Sequence, residues 1–123
     1  MSIRLSSDQF ESIRIAEENR LEELRELEIK LFSSEVQIFW ENNGTEEQKQ
    51  DFNRARTDII VARNKIENTT LEGIARRLEE NDESLRQGME NLNEEIERLQ
   101  NLINILNTIN RVAGILARII LLV

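Results

Sequence analysis

The chain contains no cysteine, histidine, proline or tyrosine. Without cysteine and histidine it lacks the thiolate and imidazole groups that usually bind zinc, haem iron and iron–sulfur clusters. The same absence excludes disulfide bonds and leaves the serines and threonines without a histidine base for nucleophilic catalysis. We therefore expect a protein that is not an enzyme, holds no metal or cofactor, and acts on no small-molecule substrate.

Basic residues are also few. The chain has 16 lysines and arginines against 24 aspartates and glutamates, which gives a net charge of −8. Because such a chain repels phosphate backbones, nucleic acid is not an expected partner. The first residues lack the apolar run of a signal peptide, and no stretch reaches the roughly 18 consecutive apolar residues of a spanning helix. We expect a cytoplasmic protein, with peripheral contact at a membrane as the alternative.

The residues that are present favour long helices. The chain has only 4 glycines to interrupt a helix, and its charged fraction of 33% is rich in helix-forming Glu and Arg. No strand-like alternation supports a sheet. The predicted fold class is all-α: an antiparallel helical hairpin followed by a long amphipathic coiled-coil helix, in one elongated domain over residues 1–123.

The first two helices are predicted from their junction. Asn42-Asn43-Gly44 supplies a turn over residues 42–44, because asparagine and glycine tolerate left-handed conformations. Thr45 and Gln48 fit a capping box at the start of the next helix. The connection is short, so the flanking helices, over 8–41 and 45–68, are expected to pack as an antiparallel pair.

Two further helix starts are marked by polar side chains. Asp8 can cap the first helix. Near residues 68–70 the apolar stripe changes phase, and Thr69 with Glu72 fits a second capping box. A third helix is therefore predicted over 70–123.

One heptad register runs along the third helix. Its d positions hold Leu71, Leu78, Leu85, Leu92, Leu99, Leu106, Ala113 and Ile120, and its a positions hold Ala75, Asp82, Met89, Ile96, Ile103, Asn110 and Ala117. In the middle heptads isoleucine at a with leucine at d favours a parallel two-stranded coiled coil. The predicted seam of a homo-oligomer comprises Leu85, Met89, Leu92, Ile96, Leu99, Ile103, Leu106 and Asn110.

The same row can instead pack internally, against the first two helices. A helix over 70–123 would be about 80 Å long, whereas a helix over 45–68 would reach only about 35 Å. Either the third helix bends, near residues 81–84, or much of it overhangs and needs a partner. We favour a second copy of this chain as that partner.

The segment 102–123 is apolar around more than half of its helical circumference and carries two arginines but no carboxylate. A two-stranded seam cannot bury so wide a face. Three interpretations stay open: the core of a higher homo-oligomer, a membrane surface, or docking on a second protein. The strongly apolar run 112–123 is too short to span a bilayer alone. The face comprises Ile105, Ile109, Val112, Leu116, Ile119 and Ile120, with Arg111 and Arg118 placed to meet anionic lipid.

These patterns favour a structural or scaffolding protein that self-assembles through its C-terminal coiled-coil helix. The alternative is a membrane-active effector, pore-forming or membrane-disrupting, whose apolar last helix inserts after oligomerisation.

Overall fold

The computed structural model describes residues 6–120, and all regular secondary structure within that range is α-helical. The helices are α1 (Ser7–Leu31), α2 (Ser34–Asn43), α3 (Glu46–Glu67), α4 (Leu71–Arg98) and α5 (Leu102–Ile120). The all-α fold class is confirmed, whereas two of the predicted helices are each divided. Residues 1–5 and 121–123, the two ends of the predicted domain, lie outside the described residues.

The first helix is capped by Ser6 and not by Asp8. The Ser6 hydroxyl accepts a hydrogen bond from Gln9 N at 3.2 Å, and the Gln9 side chain accepts one from Ser6 N at 2.9 Å. This capping box satisfies two backbone N–H groups. Asp8 lies inside the first turn, where its charge is favourable to the helix dipole.

The helix predicted over 8–41 is two helices, because Ser33 begins a new one. Ser33 is extended (φ −66°, ψ 154°) and accepts a hydrogen bond from Val36 N at 3.4 Å. Serine side chains compete for backbone groups in this way, which makes them better caps than interior helix residues. After the break at Ser33, α2 buries Val36 and Trp40.

Gly44 is the C-cap of α2. A glycine is needed here because residue 44 lies close to Trp40, and not because the turn is left-handed. Its φ of −92° and ψ of 145° are extended. A Cβ atom there would lie 2.9 Å from Trp40 O, too close for a side chain without movement of the backbone. Residues 42–44 are thus the end of α2 and its cap. The capping box of Thr45 and Gln48 at the start of α3 is confirmed.

The junction of α3 and α4 falls where the phase change predicted it. Thr70 is the N-cap of α4, although its side chain makes no capping hydrogen bond. The predicted capping box of Thr69 and Glu72 is not formed, because Thr69 Oγ1 instead donates to Lys65 O at 2.6 Å.

The helix predicted over 70–123 is also two helices. α4 continues through residues 81–84, where a bend was one expectation, and it ends at Arg98; α5 begins at Leu102. A straight helix would leave the apolar side of α5 in water, whereas the reversal folds α5 back onto α4 and α3. The helix expected over 70–123 is therefore divided because α5 is buried within the same chain.

The four long helices surround one core. α1 and α5 lie on opposite sides of it, and each packs against both α3 and α4. α1 runs parallel to α4: Arg20 Nε donates to Asp82 Oδ1 at 2.7 Å, and further along Lys30 Nζ lies 3.6 Å from Glu97 Oε1. α2 crosses the end at which α1 and α4 finish.

α3 and α5 run in the opposite direction. Arg77, near the start of α4, donates to Ile119 O, near the end of α5, at 2.6 Å. Arg63, near the end of α3, donates to Glu28, near the end of α1. α1 and α3 are therefore antiparallel, and α4 and α5 form a second antiparallel pair where a single helix was predicted.

All four long helices contribute to the apolar core. Its most fully buried large side chains are Leu24, Leu31, Ile59, Ile74, Leu78, Leu85, Leu92, Ile105, Ile109, Leu116 and Ile119. Each such side chain contributes about 1.5–3 kcal/mol by leaving water.

A line of alternating charges joins α1 to α3. Arg63 Nε donates to Glu28, and Arg63 Nη1 donates to Glu67 Oε1 at 3.0 Å. Arg25 of α1 binds the same Glu67 oxygen. Desolvation by itself raises the pKa of Glu67, but the hydrogen bonds from Arg25 and Arg63 outweigh it, so that the pKa lies below its ordinary value.

We expect Glu67→Gln to lower stability at neutral pH and to have little effect in acid. Because the folded-state pKa of Glu67 is lowered, its contribution is present above the ordinary pKa of 4.5 and is lost as the pH falls through the folded-state value. Urea unfolding of both proteins from about pH 7 to about pH 3 should show a difference that closes in acid. A difference that stayed constant would mean that the charge of Glu67 does not stabilise this contact.

Candidate assembly face on the last helix

The turn between α4 and α5 depends on a leucine in the left-handed conformation. Leu99 has φ 48° and ψ 47°, and its N–H donates to Glu95 O at 2.9 Å, which caps α4. Glycine is usual at such a cap, because a Cβ atom in this conformation costs roughly 1–2 kcal/mol. Asn101 then accepts a hydrogen bond from Asn104 N at 3.0 Å at the start of α5. The turn thus contains a strained residue and no glycine.

α5 directs one apolar side into the bundle. This inner face consists of residues that are at most 3% exposed: Ile105, Ile109, Val112, Ile115, Leu116 and Ile119. All except Ile115 belong to the face that the sequence assigned to lipid or to higher assembly, yet α3 and α4 cover them within the single chain. Of the other residues assigned to that face, Ile120 is half-buried and Arg111 and Arg118 are exposed.

The other side of α5 carries the a and d heptad positions. These residues, named here the outer row, are Ile103, Leu106, Asn110, Ala113 and Ala117. Ile103 is 59% exposed, Asn110 is exposed, and the rest of the row is half-buried. The helix therefore has two apolar sides, of which the chain itself fully covers one.

The predicted seam is divided between the inside and the outside of the bundle. Leu85, Met89, Leu92 and Ile96 are at most 5% exposed within one chain. Leu99 lies in the turn, and the last three seam residues belong to the outer row. The sequence missed this division because the heptad spacing passes through the turn unchanged. The one local marker of the turn was the polar pair Gln100-Asn101, in which asparagine suits a helix cap.

Two grooves open on the surface, one along the outer row and one at the end of α4. One, of about 400 Å³, runs between α3 and α5 and is lined by Arg54, Asp58, Asn110, Ala113, Gly114 and Ala117. The other, of about 520 Å³, lies at the α4–α5 turn, where Ile29, Val36, Ile96 and Leu99 supply its apolar lining. Ile29 is 73% exposed. Both grooves leave room for side chains from another helix.

The contact between α4 and α5 includes an incompletely paired polar group. Thr108 Oγ1 lies 2.9 Å from Asn104 O and 3.1 Å from Glu95 Oε1. The second carboxylate oxygen of Glu95 is buried and has no hydrogen-bond partner among the residues described. Because an unpaired buried oxygen is costly, this oxygen makes the α4–α5 contact near the turn less stable.

All the aromatic side chains except Phe10 form a structural cluster at the α2 end of the bundle. Trp40 stacks on Phe52 with ring centroids 4.3 Å apart. The Arg56 guanidinium lies 3.8 Å from the centroid of Phe32 and 4.8 Å from that of Phe52, and burial lowers the pKa of Arg56. This aromatic cluster joins α2 to α3 and to the end of α1.

Within residues 6–120, no three carboxylates converge as a metal site would require.

α5 is long and apolar enough to cross a membrane by length and composition, with a mean hydropathy of 1.2. The sequence expectation counted only consecutive apolar residues, which Asn104, Asn107 and Asn110 interrupt. About a third of the helix is buried in the bundle. Composition therefore does not decide between protein and lipid as its surroundings.

Comparison with protein-family models, with curated proteins and with solved structures finds no match for this chain. Its function is therefore inferred from the geometry of α5 and of the turn before it.

Ile109→Ala and Ile103→Ala should distinguish the two sides of α5. Ile109 is fully buried, so its truncation should lower the free energy of unfolding by about 2–5 kcal/mol. Ile103 is 59% exposed, and its truncation should change that free energy by less than about 0.5 kcal/mol in the monomer. Urea unfolding of dilute protein measures both. Equal losses would show that α5 is turned differently.

Leu99→Gly and Leu99→Ala remove the same side chain but differ in the cost of a left-handed backbone. With φ at 48°, the glycine variant should be more stable than the alanine variant by about 1 kcal/mol. If residue 99 were helical, the order would reverse, because glycine is the poorer helix former by a similar amount. Thermal unfolding of the two dilute proteins gives the order directly.

Proposed function

We propose that this protein is a structural, self-assembling protein and that the outer row of α5 is its first contact with another copy. The observation that supports this most directly is the register of the row. Ile103, Leu106 and Asn110 continue the a and d positions of α4, yet Ile103 and Asn110 are exposed and Leu106, which packs against the core, is only half-buried. Single exposed apolar residues are ordinary on a protein surface, whereas a row at coiled-coil spacing fits a partner helix.

A second copy of the same chain suits the outer row chemically. When two identical helices pair in parallel, equivalent a positions meet, so Asn110 can bond its own counterpart and fix the register. Arg111 and Arg118 follow the a positions directly, at positions that point away from such a seam. Two copies would therefore not bring these like charges together.

The surface beside the row has space for a helix. Ala113, Gly114 and Ala117 line the groove of about 400 Å³ between α3 and α5. A Cβ atom placed on Gly114 would meet no other atom within 4 Å, so this side of α5 is open. Helix axes approach more closely where the contacting side chains are small.

A membrane-active effector is the second candidate, and the composition of α5 favours it. The helix has the length and hydropathy of a spanning helix and contains no carboxylate. Arg111 and Arg118 are exposed one heptad apart and can contact anionic headgroups. However, α3 and α4 bury its inner face, so α5 would have to leave the bundle before it met lipid. We therefore place self-association first.

Ile103→Asp should weaken self-association at least about tenfold, because a carboxylate buried in an apolar seam without a partner costs more than the 1.4 kcal/mol of one decade. Ile15→Asp is the matched control. Ile15 lies on α1, across the core from α5, and is 47% exposed against 59% for Ile103. Sedimentation equilibrium over a concentration series gives the two dissociation constants.

A wild-type chain that stayed monomeric at every concentration would contradict the proposal. Equal weakening by both substitutions would place the contact away from the outer row. Flotation with neutral and with anionic vesicles tests the second candidate. Vesicle binding and dye release by a chain that never associates in solution would favour the membrane function over the structural one.

A further inference from the structure

We propose that α4 and α5 straighten into one continuous helix when copies associate, and that the a and d residues on both sides of the turn then form a single seam with other copies of the chain. This inference rests on the proposed self-association, to which it adds a conformational change and a longer contact surface. In α4 the row continues through Ile96, Met89 and Leu85. Met89 lies against α1 in the closed bundle, so α1 must also move away from α4 for the seam to extend this far.

The residues of the turn are compatible with an uninterrupted helix. They are Leu99, Gln100 and Asn101, of which leucine and glutamine are good helix formers and none is glycine or proline. The heptad register passes through the turn without a shift, from Ile96 at a through Leu99 at d to Ile103 at a. A permanent reversal would usually carry glycine where Leu99 stands.

The closed hairpin is strained or poorly packed at the same place. Leu99 is left-handed, the second carboxylate oxygen of Glu95 is buried without a partner among the described residues, and the groove of about 520 Å³ opens beside Ile96. Straightening would remove the first two defects. Leu99 would become helical, and Glu95 would occupy a g position at the edge of the seam, where water or a partner side chain reaches it.

The inner face of α5 keeps the monomer closed. Its six aliphatic side chains are buried against α3 and α4, and their exposure would cost far more than one left-handed leucine. Strain at the turn therefore cannot open the hairpin without a partner. Opening requires that other chains cover these residues, which couples the change of shape to association.

The positions of the inner-face residues fit several copies around α5. In the heptad register Ile109 and Leu116 take g positions beside the seam, while Ile105, Val112 and Ile119 take c positions on the far side. With a and d these rows leave only a narrow polar strip, which a two-stranded coil cannot match. The assembled form should therefore contain more than two chains.

A disulfide between α4 and α5 tests the inference by preventing the opening. The chain has no cysteine of its own, and a Cβ atom at Gly88 would lie 3.2 Å from Val112 Cγ2. Because Val112 Cγ2 is bonded to Val112 Cβ at about 1.5 Å, the Cβ atoms of residues 88 and 112 are less than about 4.7 Å apart, close to disulfide geometry. The Gly88→Cys, Val112→Cys protein should associate at least about tenfold more weakly when oxidised than when reduced. The reduced form is the control.

Spin labels measure the change of shape without substitution in the core. Arg76→Cys with Arg118→Cys places labels on exposed positions of α4 and α5, next to the contact between Arg77 and Ile119. In dilute monomer the label distance should be short. In the assembled protein it should lengthen toward about 63 Å, the span of these residues along a straight helix.

Substitution of Leu99 provides a test with opposite signs in the two states. Leu99→Gly favours the closed turn, and Leu99→Ala favours a helix through it. The alanine variant should associate several-fold more tightly than the glycine variant, although it is the less stable monomer. If the glycine variant, which is the more stable monomer, also associated more tightly, straightening would be contradicted.

The outcomes separate this inference from the proposed function. If the oxidised chain associates as well as the reduced chain and the labels stay close, copies meet through closed bundles, and straightening is wrong while self-association holds. If the reduced chain does not associate, both are wrong. If the labels separate only on vesicles, with no contact between chains, lipid and not a second copy opens the hairpin, and the inference is overturned.

Discussion

The burial of the inner face of α5 is the interaction on which the rest of this structure depends. α3 and α4 lie at opposite corners of the bundle, and both pack on α5. The same contact holds Leu99 in a left-handed conformation that a leucine does not prefer. It also decides which apolar rows of α5 are enclosed and which row remains at the surface. The fold and the candidate assembly face are therefore consequences of one packing event.

Features with a local cause could be predicted from the sequence. Thr45 and Gln48 form a capping box because their spacing alone determines the hydrogen bonds. The helical class follows from the absence of proline and the spacing of apolar residues. The a and d register of α4 placed Leu85 and Leu92 in a seam between copies, and both are buried within the single chain. Which helices cover these residues is not a local property of the sequence. Here other helices of the same chain cover them.

The two missed breaks each carried a local marker. At Ser33 the local marker was present, since a serine followed by a helix-compatible run is a good cap, but the apolar spacing continued past it and hid the break. At the α4–α5 turn the local marker was Asn101, which caps α5, and the apolar spacing again continued past it. A straight helix and a hairpin satisfy the same heptad pattern, and the choice between them depends on whether α5 finds its partners within the chain or outside it. Such a choice is made by tertiary burial, which periodicity does not contain.

Trp40 gives the molecule a single optical reporter. It is the only tryptophan in a chain without tyrosine, it is 3% exposed, and its ring stacks on Phe52. The near-ultraviolet emission therefore comes from one indole shielded from water. α2, which carries it, also contributes Val36 to the groove beside Leu99, so this indole lies at the same end of the bundle as the α4–α5 turn. A red shift of the emission would mark solvent entry at that end, with no label attached.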